Sequence, residues 1–203
     1  MAIRVGREGI FGFRPARTRE QVIPTVHVGS FPEAVDSALA LQAGKPAIDV
    51  IGLDLDRTYV HWKDVFAHPL QSIGVMGVRR EQRIRERQDA LHRLLEPKVG
   101  QRVSKLVVWT SRPEWAVPRG LRRELETIAG EHSTTVTFVG GLEKLGAQQR
   151  FRNAMTRIIG EGGYREVAII GNSRQEHRGS QWVADNLGAH VYNISIGRRR
   201  FNS

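Results

Sequence analysis

The chain has 203 residues, of which 40% are hydrophobic and 26% charged, a balance that fits an ordinary globular domain and excludes disordered, collagenous and coiled-coil classes. No run approaches the roughly 18–20 apolar residues of a membrane helix, and the lack of cysteine removes disulfides, thiolate nucleophiles and thiolate zinc sites together. The net charge of +10, carried by 26 Arg and five Lys against 21 acids, favours encounter with anions such as phosphate esters or nucleic acid.

Residues 1–29 read as an irregular or strand-like, basic extension, with Ile3–Val5 and Ile10–Phe13 as short strand candidates between glycines. Arg4, Arg7, Glu8, Arg14, Arg17 and Arg19 interrupt any signal-peptide apolar core, so a cytoplasmic protein with no membrane partner is the expectation. Ser30 and Glu33 have capping-box spacing, and Phe31, Val35, Ala38 and Leu39 then share one helical face up to Gly44. Residues 1–46 are accordingly an N-terminal extension whose one helix packs on the domain formed by residues 47–203.

From Ala47 the pattern is regular. Five short Val/Ile-rich runs, Ile48–Leu53, Lys105–Trp109, Thr134–Val139, Val167–Ile170 and His190–Ile194, alternate with helical periods at Arg79–Leu95, Arg119–Ala129, Gly146–Ile159 and Glu176–Leu187. Such alternation means an α/β fold, a three-layer sandwich in which a five-stranded parallel sheet is covered on both faces. Ligands then bind beyond the carboxyl ends of the strands, near the point where the strand order reverses. The segment Tyr59–Val78 exceeds a crossover and holds an extra loop or hairpin that is too small for a large cap domain.

The strand ends carry the chemistry. Asp54 and Asp56 leave the first regular strand at i and i+2, followed by Thr58; two such carboxylates repel, and a divalent cation or a shared proton relieves them. The pair also suits a division of labour between nucleophile and proton carrier. Thr110, Ser111 and Arg112 follow the second strand with hydroxyl, amide and guanidinium groups of the kind that hold phosphate. Gly140-Gly-Leu-Glu-Lys144 delivers an ammonium after the third, and Asn172 and Glu176 follow the fourth, offering oxygen ligands suited to magnesium. A helix cap is the alternative role for Asn172.

Asp-x-Asp-x-Thr, then strand–Thr, then Lys, then strand–Gly-x-x-x-x-acid, in that order over residues 47–195, resembles the haloacid dehalogenase superfamily of phosphotransferases. The resemblance implies a Rossmann-like sheet of strand order 5-4-1-2-3 and Mg2+-dependent phosphoryl transfer through an aspartyl-phosphate. It makes Asp54 the nucleophile and Asp56 the general acid/base, whose carbonyl also touches the metal. Thr110 becomes the phosphate-binding hydroxyl, Lys144 the charge-shielding lysine, and Asn172 and Glu176 the fourth-motif metal ligands. Asparagine at position 172 departs from the usual aspartate and holds the metal with one charge fewer. The implied protein is a phosphatase acting on a phosphorylated substrate, with a lean toward a nucleotide or nucleic-acid end. A catalytically silent member of the same fold, binding nucleic acid or a protein through its basic surface, is the rival. Trp62 and Trp115 are candidates for stacking on a base at the cleft rim; the eight basic and four acidic residues of Arg79–Arg102 read as a solvated face.

Overall fold

The computed structural model describes residues 23, 25–42, 47–56, 58–60, 75–97, 102–141, 147–172 and 174–197. In chain order the elements are β1 (Thr25–Val28), α1 (Phe31–Leu41), β2 (Val50–Asp54), α2 (Val75–Leu95), β3 (Lys105–Thr110), a 3-10 turn (Glu114–Ala116), α3 (Arg119–Glu131), β4 (Thr135–Gly140), α4 (Ala147–Gly162), β5 (Glu166–Gly171), α5 (Arg174–Leu187) and β6 (His190–Ile196). All strands are parallel and form one sheet in the order β1-β6-β5-β2-β3-β4.

The sheet therefore has six strands where the repeat pattern predicts five, and its order is correspondingly longer. The five strands read from the sequence lie together as β6-β5-β2-β3-β4, and Thr25–Val28 adds itself outside β6, in register from Thr25 with Asn193 to Val28 with Ile196. This strand escapes a reading of periodicity because it is four residues long and half-exposed, too short to show an alternation. The strand candidates Ile3–Val5 and Ile10–Phe13 lie outside the described residues.

Each face of the sheet has its own apolar cluster because side chains alternate along a strand. Ile51 and Leu53 of β2 pack with Phe31, Ala34, Val35 and Ala38 of α1, Leu91, Leu94 and Leu95 of α2, and Leu121, Leu125 and Ile128 of α3. Val50, Val107 and Ile169 turn the other way, onto Phe151, Met155, Ile158 and Ile159 of α4 and Val183 and Ala184 of α5. These four α4 residues recur at i, i+4, i+7 and i+8, so the helix buries one face. At Gly52 an added Cβ would meet Ile169 at 3.4 Å and Phe151 at 3.8 Å, so the missing side chain lets α4 sit close over the central strand.

Helix boundaries shift in ways that local chemistry explains. α1 begins as the capping box requires, with Ser30 Oγ accepting from the Glu33 amide at 3.4 Å. The Glu33 carboxylate reaches one residue further back than expected, to the Gly29 amide (2.9 Å) and the Ser30 hydroxyl (2.9 Å). α2 starts at Val75, four residues before the predicted Arg79, and takes in part of the segment expected to be insertion. The rest of that insertion lies outside the described residues. On α2 the buried face holds Ala90, Leu91, Leu94 and Leu95 and also Arg87, a charge that is only 9% exposed.

Candidate active site

Six parallel strands ending at one edge bring residues far apart in sequence to one place. Asp54 ends β2 in register with Trp109 of β3, one residue before Thr110, and on the other side Leu53 pairs with Ile170, two residues before Asn172. The chain moves outward from β2 through β3 to β4 and then crosses back to β5, so the crevice between β2 and β5 is the point of reversal.

Asp54 is a buried carboxylate, 6% exposed, and Thr58 donates to its Oδ2 at 3.0 Å. The loop that carries Thr58 there is folded back by backbone bonds: Leu55 N donates to Trp109 O at 2.9 Å, Tyr59 N to Asp54 O at 3.4 Å, and Val60 N to Leu55 O at 2.9 Å. Leu55 is buried and Asp56 is bridged to Val60, and the turn between them returns Thr58 to Asp54.

Asp56 is the hub. Its Oδ2 accepts from the Thr110 hydroxyl at 2.6 Å, its Oδ1 pairs with Arg112 Nη2 at 2.7 Å, and its backbone carbonyl accepts from Asn172 Nδ2 at 2.6 Å. Thr110 in turn accepts from the Arg112 amide at 3.1 Å, which sets the guanidinium beside the carboxylate. The ends of β2, β3 and β5 are therefore joined through one aspartate. Ser111 stands exposed on the same loop. Asp54, Asp56, Thr110, Arg112 and Asn172 are together; Lys144 and the side chain of Glu176 lie outside the described residues, as does Trp62. Trp115, on the 3-10 turn, is 87% exposed.

A second layer under the loop was not legible in the motifs. Tyr59 is buried, stacks edge-on against Phe31 at 5.2 Å, and donates from its phenol to Glu124 Oε1 at 2.8 Å. Arg87 pairs with the same carboxylate at 3.3 Å and lies 4.9 Å above the Tyr59 ring. Burial first, and then the Glu124 charge, hold the phenol far above its ordinary range, so it remains a donor at any physiological pH. α1, α2 and α3 each contribute a residue to this anchor. The sequence reads Arg79–Arg102 as a solvated face, and the burial of Arg87 against Tyr59 and Glu124 corrects that at one position.

The glycines close the site from the β4 side. An added Cβ at Gly140 would lie 2.4 Å from Glu114 N and 2.8 Å from Arg112 O, so the loop bearing Arg112 rests directly on the end of β4. Gly141 N donates to Arg112 O at 2.8 Å, which fixes it there.

As donors to a hard cation the site offers the Asp54 carboxylate, the Asp56 carbonyl and the Asn172 amide oxygen. Asn172 Nδ2 donates to the Asp56 carbonyl, so the amide would have to turn to present its oxygen to a cation, and the described residues would add Asp54 as the one carboxylate. Among the described residues no group of three or more His, Asp or Glu is placed to hold a metal ion, at this site or away from it. The chain matches no protein-family model and no curated protein.

Proposed function

We propose that this chain is a magnesium-dependent phosphohydrolase of the haloacid dehalogenase type, with a Rossmann-like three-layer core, acting on a phosphate monoester through an aspartyl-phosphate at Asp54. The observation that carries the reading is the convergence on Asp56, just past the end of β2, of groups from the ends of β3 and β5, two residues from the buried carboxylate of Asp54. Asp54, the Asp56 carbonyl and Asn172 would hold the cation, which supplies charge neutralisation to the phosphoryl oxygens.

Asp54 attacks phosphorus; an Asp54 O–P bond forms as the bond to the leaving oxygen breaks, and Asp56 gives that oxygen its proton. Water, deprotonated by Asp56, then attacks the phosphoryl group and returns Asp54 and free phosphate. Thr58 holds Asp54 Oδ2 at 3.0 Å, which orients the carboxylate for attack. Both Asp56 oxygens are engaged, by Thr110 and Arg112, so the proton step requires these contacts to be exchanged. A phosphate dianion entering between Thr110 and Arg112 competes for the same donors and frees Asp56, which couples substrate arrival to the acid/base group. The +10 charge favours a nucleotide or nucleic-acid terminal phosphate among such monoesters.

One observation favours a second reading. The Asn172 amide donates to the carbonyl that would face the cation, and asparagine adds no charge, so a silent module of the same fold that binds nucleic acid or protein is the alternative. Turnover of an aryl phosphate with and without magnesium separates the two. Metal-dependent phosphate release that falls by at least ~10³-fold in Asp54→Asn supports the enzyme. No turnover together with salt-sensitive RNA or DNA binding supports the module.

A further inference from the structure

β4 is an edge of the sheet, and among the described residues no strand lies beyond it. Thr135 N donates to Ser104 O at 3.1 Å, so Thr135, Thr137 and Val139 direct their backbone groups at β3. By the alternation of a parallel ladder, Val136, Phe138 and Gly140 direct theirs outward. Arg150 Nη1 already takes one of these, the Gly140 carbonyl, at 2.9 Å.

Among the described residues the strand itself carries none of the usual sequence guards. Its sequence, Thr-Val-Thr-Phe-Val-Gly, holds no charge and no proline, and β-branched and aromatic residues dominate it. Alongside runs a groove of about 350 Å³ lined by Thr137, Phe138, Val139, Arg150, Asn153 and Arg157 among others. On the opposite face Arg122 covers the Phe138 ring at 4.4 Å. Glu114 also lines the groove but is matched by Arg122 at 3.7 Å, so the walls carry net positive charge from Arg150 and Arg157. Trp115, the residue after Glu114, is 87% exposed at the same end.

We propose that this edge receives an extended acidic segment of a partner protein, which adds a seventh strand to β4, sets its carboxylates against Arg150 and Arg157, and covers Trp115. Backbone pairing to Val136 and Phe138 supplies affinity, and the arginines choose the sign of the guest. A second copy of the chain does not fit, because pairing β4 with itself would bring Arg150 and Arg157 against their own counterparts. The guest is independent of whatever chemistry the cleft performs.

The test uses the full chain and a fluorescein-labelled ten-residue peptide of alternating Glu and Val, with a Lys/Val peptide and single-stranded oligo(dT) as comparisons. Saturable binding of the Glu/Val peptide alone is expected, at least ~10-fold weaker in Arg150→Glu/Arg157→Glu and weaker in Trp115→Ala. Hydrogen exchange over residues 135–140 should slow on binding. Val136→Pro, which removes an outward amide and leaves the β3 ladder intact, should also weaken it. Equal binding of the Lys/Val peptide, indifference to the arginine reversal, or no slowing of exchange over 135–140 would overturn the proposal. Oligo(dT) binding that is lost on reversal, without that slowing, would assign the arginines to nucleic acid instead.

Discussion

Replacing Gly140 with alanine tests how tightly the loop carrying Arg112 is seated. The new Cβ would stand 2.4 Å from Glu114 N and 2.8 Å from Arg112 O, both backbone atoms with no rotamer to escape through. Restoring ordinary contact needs a displacement of about 1 Å in the 112–114 loop. Overpacking of this kind costs about 1–3 kcal/mol, and the reduced freedom of the unfolded chain returns about 0.4–1. The net loss of about 1–2 kcal/mol lowers Tm by roughly 2–8 °C for a chain of this length. Gly160, exposed on α4 with nothing within 4 Å of its added Cβ, is the matched control. There alanine should stabilise by about 0.5–1 kcal/mol. Thermal unfolding of both variants, alongside aryl phosphate turnover, reads the two halves of the argument. Gly140→Ala should lose turnover out of proportion to stability, because Arg112 and its contact to Asp56 move with the loop. If Gly140→Ala melts at or above the parent temperature and retains full turnover, the seating of this loop on β4 is wrong.

Three further outcomes follow from the same contacts. Asn172→Asp replaces a donor to the Asp56 carbonyl with a third carboxylate, so Tm without magnesium should fall and the rise in Tm on adding magnesium should exceed the parent's; identical magnesium responses would remove Asn172 from the metal site. Burial, and then the Glu124 carboxylate, raise the Tyr59 phenol, and burial with the Glu166 bond raises Tyr192; the stability they contribute is complete below the ordinary value of 10.0 and falls as pH climbs beyond it. Tyr59→Phe should cost about 1–2 kcal/mol at neutral pH and flatten the alkaline limb of a urea-midpoint profile, and an unchanged limb would count against the buried phenol. The Gly29 amide and then the Ser30 hydroxyl lower Glu33 from 4.5, so its contribution is present above that value and lost as pH falls through the lowered one. The Tm deficit of Glu33→Gln should accordingly be visible at pH 7 and vanish in acid.

The α/β class was legible because hydrophobic period is a local property. Alternating four- to six-residue apolar runs and helical stripes such as Phe151, Met155, Ile158 and Ile159 can only bury themselves as strands covered by helices. Position along the chain also placed Asp54, Asp56, Thr110, Arg112 and Asn172 at strand ends, since parallel strands all end at one edge. The short edge strand Thr25–Val28 was hidden, because what fixes it is the backbone of Asn193–Ile196, 168 residues away at Thr25 and Asn193.

The sequence by itself determined which residue types could meet at the carboxyl edge and what chemistry carboxylate, hydroxyl and guanidinium can perform there. Only the tertiary structure decided that Asp56 is the hub, that Phe31, Arg87 and Glu124 anchor Tyr59 and its loop from three helices, and that β4 ends the sheet of the described residues beside two arginines. Periodicity acts through neighbours three or four residues apart. Pairs such as Asp56 with Asn172 or Tyr59 with Glu124 depend on crossover paths and helix packing, which no local pattern encodes.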